Sequence, residues 1–244
     1  MARAPKKHPV FVTPRLRLRP FRTADIVQMH RLYGDADNLR YWSVPPSPDL
    51  ASTRRMLRWH QTYRPGNYVL WAVALKRSDK AIGMINYHHR NLREKRVDVG
   101  WLLLPGMQGK GYMAEAGRAL LAHLFDDLGV HKVEALIRPE NKPSTALAER
   151  LGFRLEGGPI RDRWRIGEAW HSVMLYGLVA GEQSTRSMQN RQSSGALRKG
   201  NRAGEIIARL PDDFFADGRR DAPPQRREGL SIGSDCRSSR AKEH

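Results

Sequence analysis

The most specific chemistry in this sequence sits in one short run, Gln108-Gly109-Lys110-Gly111, followed by Tyr112-Met113-Ala114. A strand-like apolar pattern precedes it and a helical pattern follows. The glycines therefore stand at a helix N-terminus, where unpaired backbone N–H groups and the positive end of the helix dipole converge. Lys110 adds a mobile charge, so the turn suits a phosphate or pyrophosphate held mainly by main-chain donors. The spacing is neither GxxxxGK[ST] nor GxGxxG, which sets aside the P-loop and the dinucleotide fingerprint. The other chemical candidates are weaker. His88 and His89 adjoin in a strand pattern, so their side chains are expected on opposite faces and poorly placed to share a metal. Trp101, Trp164 and Trp170 lie in strand patterns and are candidates for lining an acceptor groove, although strand aromatics are more often core. Cys236 is the only cysteine, which leaves no intrachain disulfide and no Cys-based zinc site.

The elements that must position the turn follow from periodicity. Leu16 and Leu18 alternate with Arg15, Arg17 and Arg19, the pattern of a half-buried strand with one charged face. Thr23 is expected to cap a helix running to about Tyr33, with Asp25 in its first turn. A second helix is predicted from about Asp49 to Tyr63, stopping at Pro65-Gly66. Runs at 69–76 and 81–90 flank Arg77-Ser78-Asp79-Lys80 as a hairpin, and 97–104 reads as a third strand. From Gly111 the apolar residues Met113, Ala116, Leu120, Leu121, Leu124 and Leu128 keep helical spacing until Gly129. A strand over 133–137 comes next, then a helix from Pro143 to Leu151 closed by Gly152, with Asn141 placed as its cap. Strands over 153–156 and 168–179, the latter reached through the Ile166-Gly167 turn, complete a mixed α/β order.

A chain of 244 residues can bury a full core without staples. Its formal charge is +18, of which +13 belongs to residues 1–182, so the basic bias is a property of the body and favours polyanionic partners. Residues 1–12 read as a basic N-terminal arm with Arg3, Lys6 and Lys7, and 13–182 as one catalytic-size domain. Residues 183–244 read as a disordered basic tail, because Phe214 and Phe215 are its only aromatics; a short helix over 205–209 is its one candidate element. There is no signal-peptide core and no apolar run long enough to span a bilayer, so the expectation is a cytoplasmic protein without membrane attachment.

Several of these pieces together resemble the GCN5-related N-acetyltransferases (GNAT). Gln108 and Gly111 match that superfamily's acyl-CoA motif, while Met113 departs from its sixth position and Ala114 follows. Thr13-Pro14-Arg15-Leu16 with Asp25, Val97-Asp98-Val99-Gly100-Trp101, Asn141-Lys142-Pro143-Ser144, Glu149-Arg150-Leu151-Gly152-Phe153 and the closing segment Glu168 to Leu178 are similar to the RimJ/RimL-type ribosomal-protein-alanine acetyltransferase branch. The resemblance covers about residues 13 to 179. It implies a GNAT fold of the α/β (α+β) class: a mixed, mostly antiparallel central sheet with flanking helices and splayed central strands.

It further implies an acetyl-CoA-dependent N-acetyltransferase moving acetyl directly to a primary amine, with no metal. Leu103, Gln108, Gly109, Lys110, Gly111, Tyr112, Met113, Ala114, Asn141 and Ser144 would contact acetyl-CoA, with the Leu103 N–H polarising the thioester carbonyl. Asp98, where many relatives carry glutamate, would take the amine's proton through water or orient the amine. Ser144 would donate a hydrogen bond or proton to the leaving thiolate, with Ser144 or water serving there since Ala148 stands where many relatives have a tyrosine. At pH 7 roughly one α-amine in seven is neutral against about one lysine in 2,500, so a weak base favours α-amines. A protein N-terminus, as on a ribosomal protein, is the expected acceptor, with weak RNA or ribosome contact permitted by the charge. The alternatives are a small-molecule amine acetyltransferase and a non-catalytic acyl-CoA- or RNA-binding protein.

Overall fold

A computed structural model describes residues 8–60 and 66–182. The arm residues Arg3, Lys6 and Lys7, the end of the second predicted helix, and the tail with its short helix lie outside the described residues. Within them the chain forms β1 (Phe11–Val12), β2 (Leu16–Arg19), α1 (Ile26–Tyr33), α2 (Ala36–Leu39), α3 (Leu50–His60), β3 (Val69–Leu75), β4 (Ala81–Asn91), β5 (Arg96–Leu103), α4 (Tyr112–Ala122), β6 (Lys132–Ile137), α5 (Lys142–Leu151), β7 (Arg154–Ile166) and β8 (Ala169–Val179).

The strands form one eight-stranded sheet in the order β1-β2-β3-β4-β5-β6-β8-β7. Every neighbouring pair is antiparallel except β5 and β6. Helices cover both faces, so the central strand β3 is apolar and buried on both sides rather than alternating. Val69, Trp71 and Val73 join the core formed with α4 and α5, while Leu70 and Ala72 join the smaller core formed with α1 and α3.

The sheet edge reaches further than composition suggests. Residues 8–12, read as part of the arm, are joined to the sheet: β1 pairs with β2, the Trp71 indole donates to the Pro9 carbonyl at 2.9 Å, and a His8 ring nitrogen lies 3.0 Å from the Leu70 carbonyl. The strand expected over 153–156 extends to thirteen residues because it pairs with β8 along a long hairpin. At the end of α4 the helical run widens rather than stops, with a Leu128 N–H to His123 carbonyl bond of i,i+5 type before Gly129.

Arg19 is the polar centre of the first half. It is 2% exposed and spends all five N–H donors: two on the Asp25 carboxylate at 2.7 and 3.0 Å, one on the Asp79 carboxylate at 2.9 Å, and two on the Pro20 and Asp79 carbonyls at 3.1 and 2.8 Å. Asp25 also accepts the Arg22 N–H at 2.8 Å, so it, rather than Thr23, satisfies the start of the α1 segment. One guanidinium thus ties β2, the entry to α1 and the β3–β4 hairpin together. Removing the partner of a buried charge leaves it uncompensated. Asp25→Ala is expected to lower stability by about 3–5 kcal/mol in urea unfolding; a loss below about 1 kcal/mol would show that Asp79 alone holds the charge.

Candidate active site

The site is made by a ladder that stops. β5 and β6 pair in register only at Arg96/Lys132, Val97/Val133 and Asp98/Glu134, although β5 continues to Leu103 and β6 to Ile137. Beyond Asp98 the strands part and open a wedge. Backbone groups alternate in direction along a strand, and the Leu104 N–H bonds back to the Ile82 carbonyl of β4 at 3.0 Å. The Trp101 and Leu103 N–H groups therefore face the gap. A cavity of about 730 Å³ occupies it, lined by Trp101, Leu103, Gln108, Tyr112, Ile137 and Ser144 and also by Asp35, Asp37, Tyr41, Trp42 and Trp164.

The glycine turn closes one wall as expected. Gly109 and Gly111 have φ of +74° and +77°, and Gly111 is the N-cap of α4 without a capping side chain. The first intrahelical bond runs from Glu115 N–H to Gly111 O, so the N–H groups of Tyr112, Met113 and Ala114 precede the helical ladder. A side chain at Gly109 would meet no protein atom within 4 Å; its absence keeps clear space that lies outside the chain. These donors, the clear space and the wedge fit an elongated ligand with a pyrophosphate. Gln108 and Lys110 brace the turn from within, Gln108 by donating to the Leu103 carbonyl at 3.1 Å and Lys110 by donating to the Gly106 carbonyl at 2.8 Å.

Arg15 is a site residue that strand alternation alone does not reveal. Its guanidinium donates to the Lys110 carbonyl at 2.9 Å, pairs with Glu115 at 2.6 Å and stacks over the Tyr112 ring at 4.7 Å. Glu115 also accepts from Thr13 at 2.6 Å, so its charge beside the anion-binding helix end is already engaged. Trp101 is the second, which strand patterning does not tell from a core aromatic. Its indole donates to Ser144 Oγ at 3.2 Å across the wedge, while the Ser144 N–H donates to the Asn141 side chain at 3.3 Å. Asn141 therefore caps α5, and Ser144 keeps its own hydroxyl hydrogen for another acceptor. Trp164 also lines the cavity; Trp170 does not and is 58% exposed. Arg138, which also lines the cavity, donates to the Arg40 carbonyl at 2.8 Å and, with Arg40, flanks the Tyr41 ring.

Asp98 is the sequence-selected residue that the wedge does not take in. It is 5% exposed, absent from the cavity lining, and enclosed by His89 Nδ1 at 3.0 Å and the Arg96 guanidinium at 3.6 Å. The alternation of β5 turns it to the same sheet face as His88, its cross-strand partner. The expectation that His88 and His89 point apart is also overturned. A register shift follows His88, His89 has φ +50°, and the two rings stand 4.7 Å apart.

Among known families, the one described as acetyltransferase (GNAT) domain matches residues 15–154. The uncharacterized N-acetyltransferase p20 of Bacillus licheniformis is 27% identical over 171 residues, 70% of this chain and 96% of that protein. Spermidine N(1)-acetyltransferase of Escherichia coli (strain K12) is 26% identical over 163 residues, 66% of this chain and 84% of that protein. Among solved structures, RimL, the ribosomal L7/L12 alpha-N-protein acetyltransferase in complex with coenzyme A, matches with a TM-score of 0.61 at 20% identity, covering 70% of this chain and 98% of that one.

Burial pushes the His88 imidazole down to about 4, against the opposing attraction of Asp98. The folded state thus binds this proton less tightly than the unfolded chain does at its ordinary value of 6.5. Its contribution to stability is complete above about pH 6.5 and is lost as pH falls toward about 4. In urea unfolding across that window the wild-type protein should lose stability more steeply than His88→Gln; parallel slopes would contradict the assignment.

Proposed function

Because the chain belongs to the GNAT acetyltransferase family and is an acetyl-CoA-dependent N-acetyltransferase, we propose that its acceptor is the α-amino group at a protein N-terminus, in the manner of RimJ/RimL-type enzymes. The observation that carries this reading is what the cavity wall lacks. Neither a histidine nor a glutamate is among the described residues lining it, and its acidic residues are Asp35 and Asp37. An amine that is already partly neutral at pH 7 suits such a site, whereas a lysine would need a base to deprotonate it.

Bound in the wedge, acetyl-CoA supplies a thioester-activated acetyl group. The residues divide the remaining work. The N–H groups of Tyr112, Met113 and Ala114, with Gly109 and Gly111 leaving room, hold the pyrophosphate; Arg15, Gln108 and Lys110 keep the turn in shape. The Leu103 N–H, facing the gap, donates to the carbonyl oxygen as negative charge develops there. Asn141 fixes the start of α5, and Ser144, already accepting from Trp101, donates a hydrogen bond to the departing sulfur, whose proton comes from solvent in the open cavity, with the serine hydroxyl left intact. The amine's proton passes to water along the open cavity. Asp98, enclosed by His89 and Arg96 at the vertex of the wedge, lies outside the cavity lining and does not touch the amine.

A second reading, a polyamine acceptor, is favoured by the acidic pair Asp35 and Asp37 in the cavity lining. It is tempered by Asp35, whose carboxylate already accepts the Asp37 N–H at 2.8 Å. Intact-mass detection of transfer from acetyl-CoA into N-terminal peptides, lysine peptides and polyamines separates the two. The expected product is acetylation confined to peptide α-amines; transfer to polyamines alone would replace the first reading with the second. In the same assay Ser144→Ala should lower kcat about tenfold and leave the KM for acetyl-CoA within about twofold, and an unchanged kcat would return Ser144 to capping alone.

A further inference from the structure

The vertex of the wedge carries a cluster that acetyl transfer does not use. One nitrogen from each of His88 and His89 and one carboxylate oxygen of Asp98 lie within 4.8 Å of one another. Two of the cluster's polar atoms are buried without a hydrogen-bond partner, His88 Nδ1 and Asp98 Oδ1. Buried orphaned groups of this kind are costly, so a cluster holding two of them is unfinished as a purely structural motif. Arg96 does not complete it. Its guanidinium stands 3.6 Å from Asp98 Oδ1 because it is drawn to Glu134 at 2.6 Å.

Asp98, Glu94 and Glu134 share the Arg96 guanidinium, and Asp98 has the longest of the three contacts, at 3.6 Å. The donor set is selective: two imidazoles with one carboxylate suit a borderline divalent transition metal better than magnesium or calcium.

We propose that His88, His89 and Asp98 form a binding site for a divalent transition-metal ion of the zinc type, placed where β5 and β6 separate. Metal–ligand distances of about 2.0–2.2 Å require donors roughly 3.3 Å apart. His89 Nδ1 and Asp98 Oδ2 already stand 3.0 Å apart, and the other separations close by rotation of the rings. The His89 side chain is 27% exposed and gives the ion a way in from solvent. The β4 bulge is what makes the site: without the left-handed backbone of His89, the two rings would lie on opposite faces of the sheet. The metal takes no part in acetyl transfer; it ties the end of β4 to β5 at the vertex and stiffens the wedge. This inference is independent of which amine is acetylated.

The test uses the full chain stripped with a chelator and titrated with Co²⁺ followed by absorption, with Zn²⁺ as competitor. One Co²⁺ per chain is expected, with the d–d bands of a site bearing nitrogen and oxygen ligands, displaced by Zn²⁺. Zn²⁺ should raise the melting temperature of the wild-type protein. His89→Gly, which suits the positive φ and so keeps the fold, and His88→Gln should each weaken binding at least about a hundredfold. No bands at millimolar Co²⁺, or the same bands and affinity in both variants, would overturn the assignment. Should His88→Gln fail to fold, His89→Gly decides the matter alone.

Discussion

The functional part of this molecule depends on one interrupted hydrogen-bond ladder. β5 and β6 are the only parallel neighbours in the sheet, and they pair at three positions before parting. In a complete sheet the Trp101 and Leu103 N–H groups would be consumed by the neighbouring strand; here they are turned into the gap. Buried main-chain donors left without partners are costly, so a wedge of this kind persists only if a ligand or water uses them. The same interruption gives the cavity its floor and lets Ser144 on α5 reach Trp101 on β5.

Two arginines hold the wedge open in different ways. Arg19, with every donor engaged, locks β2 to the α1 entry and the β3–β4 hairpin, which fixes the sheet on which β5 lies. Arg15, four residues earlier and just before β2, extends instead over the glycine turn on the α4 side of the sheet and grips the Lys110 carbonyl. The two ends of one short segment thus support the fold and the anion-binding helix end. The intervening Leu16 and Leu18 are fully buried in the main core.

Much of this was legible in the sequence. Period-two and period-three-and-four patterns placed β2 to β6, β8, α1, α4 and α5 close to where they stand, and the glycine turn likewise, because these signals are local; β1, α2 and the ten-residue extension of β7 escaped them because they depend on pairing and packing. What escaped depends on register. Trp101 looks like any strand aromatic until the wedge makes its strand a cavity wall. Arg15 shows its role only once β2 lies beside α4. His88 and His89 were expected on opposite faces because alternation assumes a regular strand, and a bulge with a positive φ at a non-glycine residue breaks that assumption. Asp98 was chosen by position in a motif, but its surroundings, which decide whether a carboxylate can meet a substrate, come from residues on three strands.

The central claim is that main-chain N–H groups exposed by the parted strands and by the start of α4 hold the co-substrate. Amide hydrogen exchange of the full chain with and without acetyl-CoA tests it most directly. Slowed exchange at Trp101, Leu103, Tyr112, Met113 and Ala114 on binding is the predicted result. Saturating acetyl-CoA with unchanged exchange at those amides, and protection elsewhere, would contradict it.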